Sequence, residues 1–223
     1  MTTEPSPSLE IERKYDVDAG APLPDWAALP GVARVGEPEP RDLDARYLDT
    51  ADGRLAAARS ALRRRTGGPD EGWHLKQATP EGKLETHWPL GEGDGDAGDV
   101  STTSTTADAD APTLPAAVIE GVAGLADPPF VVLARIRNAR VAYALYNAAG
   151  GVVAEFVDDH VTALDVRRGI SSSWREWELE LGPAAPAEAP QRAALFAAAD
   201  ALVTAAGGRV AASESKLGRA LGV

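Results

Sequence analysis

The chain has no cysteine, so a disulfide framework, a thiolate metal centre and a cysteine nucleophile are all excluded. Histidine is scarce, three residues in 223, and their scatter does not suggest a zinc site, so a bound metal must rely mainly on oxygen ligands. No apolar run is long enough to span a bilayer, and Met1 to Ser8 lacks the basic segment and apolar stretch of a leader. These absences predict a cytoplasmic protein with no membrane partner. Positive charge is also in short supply, with 22 Lys and Arg against 34 Asp and Glu and a net charge of -12. A long-range field of that sign repels nucleic acid and anionic membranes. Cations that meet a polyanion must therefore be gathered locally, away from the acidic exterior.

What the chain does have is alternation. Hydrophobic residues make up 44% and charged residues 25%, a globular balance that excludes wholesale disorder. The length predicts one domain over 1–223. Period-two patterning runs through Leu9 to Tyr15, Ala61 to Arg65, Trp73 to Lys76, Leu84 to Leu90, Arg140 to Tyr146, Val152 to Asp159 and Trp174 to Leu181. Short strands separated by turn residues predict a barrel or sandwich, an all-β dominated α+β fold. Helices are expected over the alanine-rich Pro190 to Ala206, ended by Gly207 and Gly208, and over Leu114 to Leu125. Gly91 to Pro112 holds almost no large apolar residue and reads as a flexible loop inside the domain.

Two acidic alternations stand at opposite ends of the chain, Glu10 with Glu12, and Glu176, Glu178 and Glu180 in WREWELEL. Same-face neighbours on a strand lie roughly 6 to 7 Å apart, so unscreened carboxylates repel there. A hard divalent ion, Mg²⁺ or Mn²⁺, is the economical counter-charge. For one such strand alone, the outward face of a solvated edge is the better reading. The basic set alters that balance: Arg63 and Arg65 share a strand face, and Lys76, Arg140 and Lys216 lie on other segments. Several cations aimed into one cavity suit phosphate oxygens.

Taken in order, these motifs resemble the CYTH superfamily, the triphosphate tunnel metalloenzymes. Glu10, Glu12 and Lys14 match its ExExK signature. YLDTADGRLAAARSALRRR matches its Tyr-x-Asp-Thr element followed by paired arginines, with Tyr47, Asp49 and Thr50 and then Arg63 and Arg65. Lys76, the Lys83 and Glu85 pair, Arg140, the late Glu178 and Glu180, and Ser215 with Lys216 complete the series. The family's acidic residue on the strand after Arg140 is either Glu155 or Asp159, with Asp159 favoured. Asn138 stands where the family has a second cation, so Arg137 or Arg135 is expected to supply it. His87 replaces a second glutamate of many relatives; His74 and His160 read as structural or surface residues. Trp73, Trp88, Trp174 and Trp177 read as packing rather than ring stacking.

The resemblance implies an eight-stranded antiparallel β-barrel with a few peripheral helices, its bore a triphosphate tunnel. It implies metal ligation by Glu10, Glu12, Glu178 and Glu180, catalytic roles for Lys14, Glu85 and Asp159, and substrate binding by Arg63, Arg65, Lys76, Lys83, Arg137, Arg140 and Lys216. The ligand is expected to be a triphosphate or polyphosphate, the activity a Mg²⁺- or Mn²⁺-dependent triphosphatase, and the assembly a monomer or homodimer. The alternatives are a class IV-type adenylyl cyclase and a noncatalytic polyphosphate-binding module.

Overall fold

The structure, a computed structural model, describes residues 4–91, 112–213 and 215–223. The loop expected at 91–112 lies, apart from its two end residues, outside the described residues. In chain order the elements are β1 (Ser6–Glu10), β2 (Glu12–Asp16), a 3₁₀ turn (Trp26–Ala28), β3 (Arg34–Val35), β4 (Glu39–Thr50), α1 (Arg54–Ala57), β5 (Ser60–Thr66), β6 (Gly72–Ala78) and β7 (Lys83–Pro89). There follow α2 (Ala116–Val122), β8 (Phe130–Tyr146), β9 (Val152–Asp165), β10 (Ile170–Leu181), α3 (Ala189–Ala205), β11 (Arg209–Val210) and α4 (Lys216–Leu221). Among the described residues no helix is long and apolar enough to cross a membrane.

The strands form one antiparallel sheet in the order β1-β7-β6-β5-β4-β8-β9-β10-β2-β11, with β3 beside β8. Its two ends belong to one segment, because β1 and β2 are separated only by Ile11. Before Ile11 the segment pairs with β7, with Glu10 opposite Lys83; after it the other edge pairs with β10, with Glu12 opposite Glu180. Leu181 N donates to Ile11 O at 2.9 Å, so the second seam begins at the break itself. Counting this split strand once, eight long strands run around the sheet, which agrees with the eight expected. An eight-stranded ring leaves an interior just wide enough for side chains and one small ligand.

The usual distribution of polarity is inverted. Along β10, Trp177 and Leu179 are fully buried on the outer face, while Glu176, Glu178 and Glu180 alternate with them toward the bore. The outer apolar face needs a cover, and α3 supplies it by packing Leu195, Phe196, Ala199 and Val203 over Tyr15, Phe156, Trp177 and Leu179. On the opposite flank α2 lays Val118 and Val122 on Leu62, Trp73, Leu75 and Trp88. Gly121 permits that approach, since a Cβ there would lie 2.3 Å from the Trp88 ring. The helices begin and end within two to three residues of the expected limits. β4, whose first half carries Pro40 and alternating charge, lies outside the expected strands, and β8 begins at Phe130, ten residues before the expected Arg140.

Candidate active site

Inward-facing residues line a cavity of about 760 Å³. It contains Glu10, Glu12, Lys14, Arg63, Arg65, Lys76, Lys83, Arg140, Glu178, Glu180 and Lys216, gathered from β1, β2, β5, β6, β7, β8, β10 and α4. Strand parity explains the convergence: each contributes alternate residues, and the register brings Lys14 opposite Glu178, Lys76 opposite Glu85, and Arg140 opposite Asp159.

One cluster surrounds Glu178. Lys14 Nζ pairs with Glu178 and lies 2.9 Å from Glu12 Oε2. Arg140 forks Asp159 at 2.8 and 2.7 Å and reaches Glu178 at 3.0 Å. Lys216 Nζ lies 2.5 Å from Glu178, 2.6 Å from Glu176 and 2.8 Å from Asp159. Burial pushes the Glu178 carboxyl up, but Lys14, Lys216 and Arg140 outweigh it and hold the group well below the usual carboxylate range. Burial likewise opposes the charge on Lys14, yet Glu178 and Glu12 carry its pKa up to about 12. Lys216 comes from the first residue of α4, where Ser215 Oγ caps the helix by accepting from Gly218 N at 2.9 Å. The Ser-Lys pair thus divides into a cap and a bore cation.

A second cluster centres on Glu85, which is held below its ordinary range against burial by the His74 hydrogen bond, Lys76 and Arg63. His74 Nδ1 lies 3.0 Å from one Glu85 oxygen, and Lys76 Nζ lies 3.1 Å from the other, with Arg63 at 3.6 Å. Arg63 also donates to Tyr47 OH at 3.3 Å. The Asp49 carboxylate accepts from the backbone N–H groups of Thr50, Leu55 and Ala56 at 2.7 to 3.0 Å, fixing the turn that delivers β5 and its arginines. Glu85, expected to be catalytic, contacts His74, Lys76 and Arg63, and Asp159, likewise expected to be catalytic, contacts Arg140 and Lys216, so both are placed to orient cations.

Charge is not balanced everywhere. On one side of the bore, burial and then the Glu10 carboxylate push Glu180 up to about 7, and among the described residues it has no cation partner. Glu180 is open to the solvent of the bore while protein surrounds it. Burial also raises Glu10 despite its pairing with Lys76. Across the cavity, burial and the neighbouring Arg63 lower Arg65 to about 10, even with Asp70 beside it, and both arginines keep a buried Nε–H without an acceptor.

Arg137 does not join the site. It lies three residues before Arg140, so strand parity turns it outward, where its side chain is 61% exposed and lies 3.6 Å from Asp44. Arg135 points the same way and binds Asp44. Asn138 holds the inward position, and the extra cation is Arg41 of β4, directly opposite Arg140 and bonded to Glu155 at 3.0 Å. Arg41 lies on β4, outside the expected strands, and its register against Arg140 is what identifies it. Asp159, not Glu155, is the acid that meets Arg140. His87 stacks on His74 with ring centroids 4.7 Å apart, away from the acidic side, and Trp73, Trp88 and Trp177 are packed on the outer face.

Comparison with known proteins decides the family, for the CYTH domain model matches residues 8–204. The chain belongs to the CYTH family. Two uncharacterized proteins of Mycobacterium tuberculosis, from strains CDC 1551 / Oshkosh and ATCC 25618 / H37Rv, are each 36% identical over 189 residues, which is 79% of this chain and 34% of theirs. The chain thus spans about a third of the length of these curated relatives. Among solved structures, a candidate adenylate cyclase from Bacillus halodurans superposes with a TM-score of 0.60 at 20% identity, covering 96% of this chain and 97% of that one. A candidate adenylate cyclase from Vibrio parahaemolyticus gives 0.54 at 13% identity, covering 96% and 98%. Both share the CYTH fold.

CYTH proteins are metal-dependent, and the donor set fits a hard cation. Asp159, Glu176 and Glu178 bring carboxylate oxygens within 4.8 Å of one another, but Lys216 already sits among them. Glu10 pairs with Lys76 and Glu12 with Lys14 and Lys83, whereas Glu180 beside them has no cation partner among the described residues, and a divalent ion would supply one.

Proposed function

We propose that this CYTH protein is a metal-dependent triphosphatase that hydrolyses inorganic tripolyphosphate or a small organic triphosphate inside the bore. The observation that carries the reading is a paired imbalance across one cavity: among the described residues the Glu180 carboxylate has no cation partner, while Arg63 and Arg65 keep buried Nε–H groups without an acceptor. A ligand that joins a divalent cation to a polyanion relieves both, whereas a simple anion or a simple cation relieves one and aggravates the other.

In this reading Glu10, Glu12 and Glu180, with Glu178 at their border, hold Mg²⁺ or Mn²⁺. The bound ion supplies Lewis-acid charge to phosphate oxygens and to water. Arg63, Arg65, Lys76, Lys83 and Arg41 grip the phosphate chain, and Lys14, Arg140 and Lys216 stabilise the oxygens on which charge develops. Glu85 and Asp159 act through these cations, holding Arg63, Lys76, Arg140 and Lys216 in place before substrate arrives. Such preorganisation matters because buried charges left unpaired each cost several kcal/mol.

The test is a substrate panel of tripolyphosphate, thiamine triphosphate and nucleoside triphosphates with Mg²⁺ and with Mn²⁺, scored for released phosphate. Cyclic AMP and pyrophosphate from ATP would replace the reading with a cyclase. Tight binding without any product would replace it with a noncatalytic module.

A further inference from the structure

The row of bore cations on β5 begins before the strand does. After α1 the chain turns at Arg59, whose N donates to Ala56 O at 2.9 Å, and enters β5 at Ser60. The turn sets Arg59 at φ 53, and among the described residues it is the one non-glycine residue at positive φ. Glycine meets that requirement at no steric cost, and it is the common residue just past a helix C-terminus. A side chain here is sterically disfavoured, so its presence calls for a use.

Arg59 lines the same cavity as Arg63 and Arg65, with Ala56, Ala61, Lys76, Ala78 and Lys83. Its carbonyl accepts from Ala78 N at 3.1 Å, which pins the turn to the end of β6. The other cations of the bore are held by acids. Among the described residues the Arg59 guanidinium has neither hydrogen bond nor ion pair. β5 begins three residues before Arg63, roughly 10 Å at 3.3 Å per residue, and Arg59 sits one residue further out, past the start of the strand. The cavity, at about 760 Å³, holds several times the volume of a three-phosphate chain.

We infer that Arg59 is a specificity-determining residue, an entry-side cation that takes a phosphate lying beyond the third, so that the bore prefers inorganic chains of four or more phosphates to tripolyphosphate. The inference rests on the reading of the bore as a polyphosphate site. A free guanidinium on the line of the phosphate chain gains a charge-assisted hydrogen bond with each added phosphate that reaches it.

The test measures binding of tripolyphosphate and tetrapolyphosphate by titration calorimetry in EDTA, where no divalent ion supports turnover, to the wild-type chain and to R59G, R59A and R59K. The wild type is expected to bind tetrapolyphosphate about ten-fold more tightly than tripolyphosphate, the ratio one charge-assisted contact gives. R59G and R59A are expected to bring that ratio close to one, and R59K to retain most of it. R59G needs no strained turn, so its melting temperature stays at or above the wild type's and separates lost recognition from lost folding. An unchanged ratio in R59G overturns the inference, as does a wild-type ratio of one. Failure of both chains to bind the wild type overturns the polyphosphate reading as well. Binding with the expected ratios but no phosphate release when Mg²⁺ or Mn²⁺ is restored upholds Arg59 and removes only the triphosphatase.

Discussion

Arg140 and Asp159 face each other across the β8–β9 ladder, and the guanidinium forks the carboxylate at 2.8 and 2.7 Å with Asp159 wholly removed from solvent. Asp159 also takes Lys216 at 2.8 Å, so one carboxylate contacts two buried cations, which it shares with Glu178. D159N keeps the shape and removes the charge. Its expected cost is about 3 kcal/mol of folding stability, measured by urea denaturation of the apo chain, with recovery of part of that loss when tripolyphosphate replaces the missing anion.

Glu178 and Glu180 lie two residues apart on the same strand face, yet their substitutions are expected to separate. Glu178 pairs with Lys14, Arg140 and Lys216, so E178Q destabilises the apo chain. Glu180 has only like-charged neighbours among its principal influences apart from Lys76, so E180Q leaves the melting temperature unchanged or raises it. Both lower metal-dependent phosphate release by at least about 100-fold, while E180Q keeps phosphate-chain affinity. Full turnover in E180Q removes it from the metal site.

His74 should set part of the acid sensitivity. Burial, with Arg63 and Arg65 nearby, depresses its pKa to about 4 against an ordinary 6.5, despite the Glu85 hydrogen bond. Between those values the unfolded chain binds the extra proton and the folded one does not, so stability is present above pH 6.5 and falls as pH drops toward 4. H74Q flattens this portion of the melting temperature against pH curve; an undiminished slope would assign the effect to other groups.

Metal and phosphate chain should act together. Tripolyphosphate with Mg²⁺ is expected to raise the melting temperature by more than the sum of the two separate shifts, since each ligand relieves the charge that repels the other. A sum that merely adds, or equal shifts from sodium chloride of matched ionic strength, contradicts a shared site.

Much of the site was legible because strand parity puts Glu10, Glu12 and Lys14, Arg63 and Arg65, and Glu178 and Glu180 each on one strand face, and the resemblance to the CYTH family implies that these faces turn into one bore. The same rule corrects Arg137, whose odd offset from Arg140 turns it outward. Arg41 was not legible, because β4 opens with Glu39 and Pro40 and its early inward residues are mixed in polarity. Ladder registers, such as Arg41 against Arg140, depend on how the ring closes and cannot be read from one strand alone. The sorting of Asp159 from Glu155 came from the same source, since both share an inward face and only the β8 partner distinguishes them.

The seam at Ile11 has a consequence for biosynthesis. The N-terminal segment of the domain needs β7 on one edge and β10 on the other, and Lys14 meets Glu178 across a separation of 164 residues. Until residue 181 has emerged, a nascent strand of alternating charge and apolar side chains keeps at least one edge unpaired, a state that favours chaperone engagement over early compaction. Completion of the ring thus waits until β10 has been made.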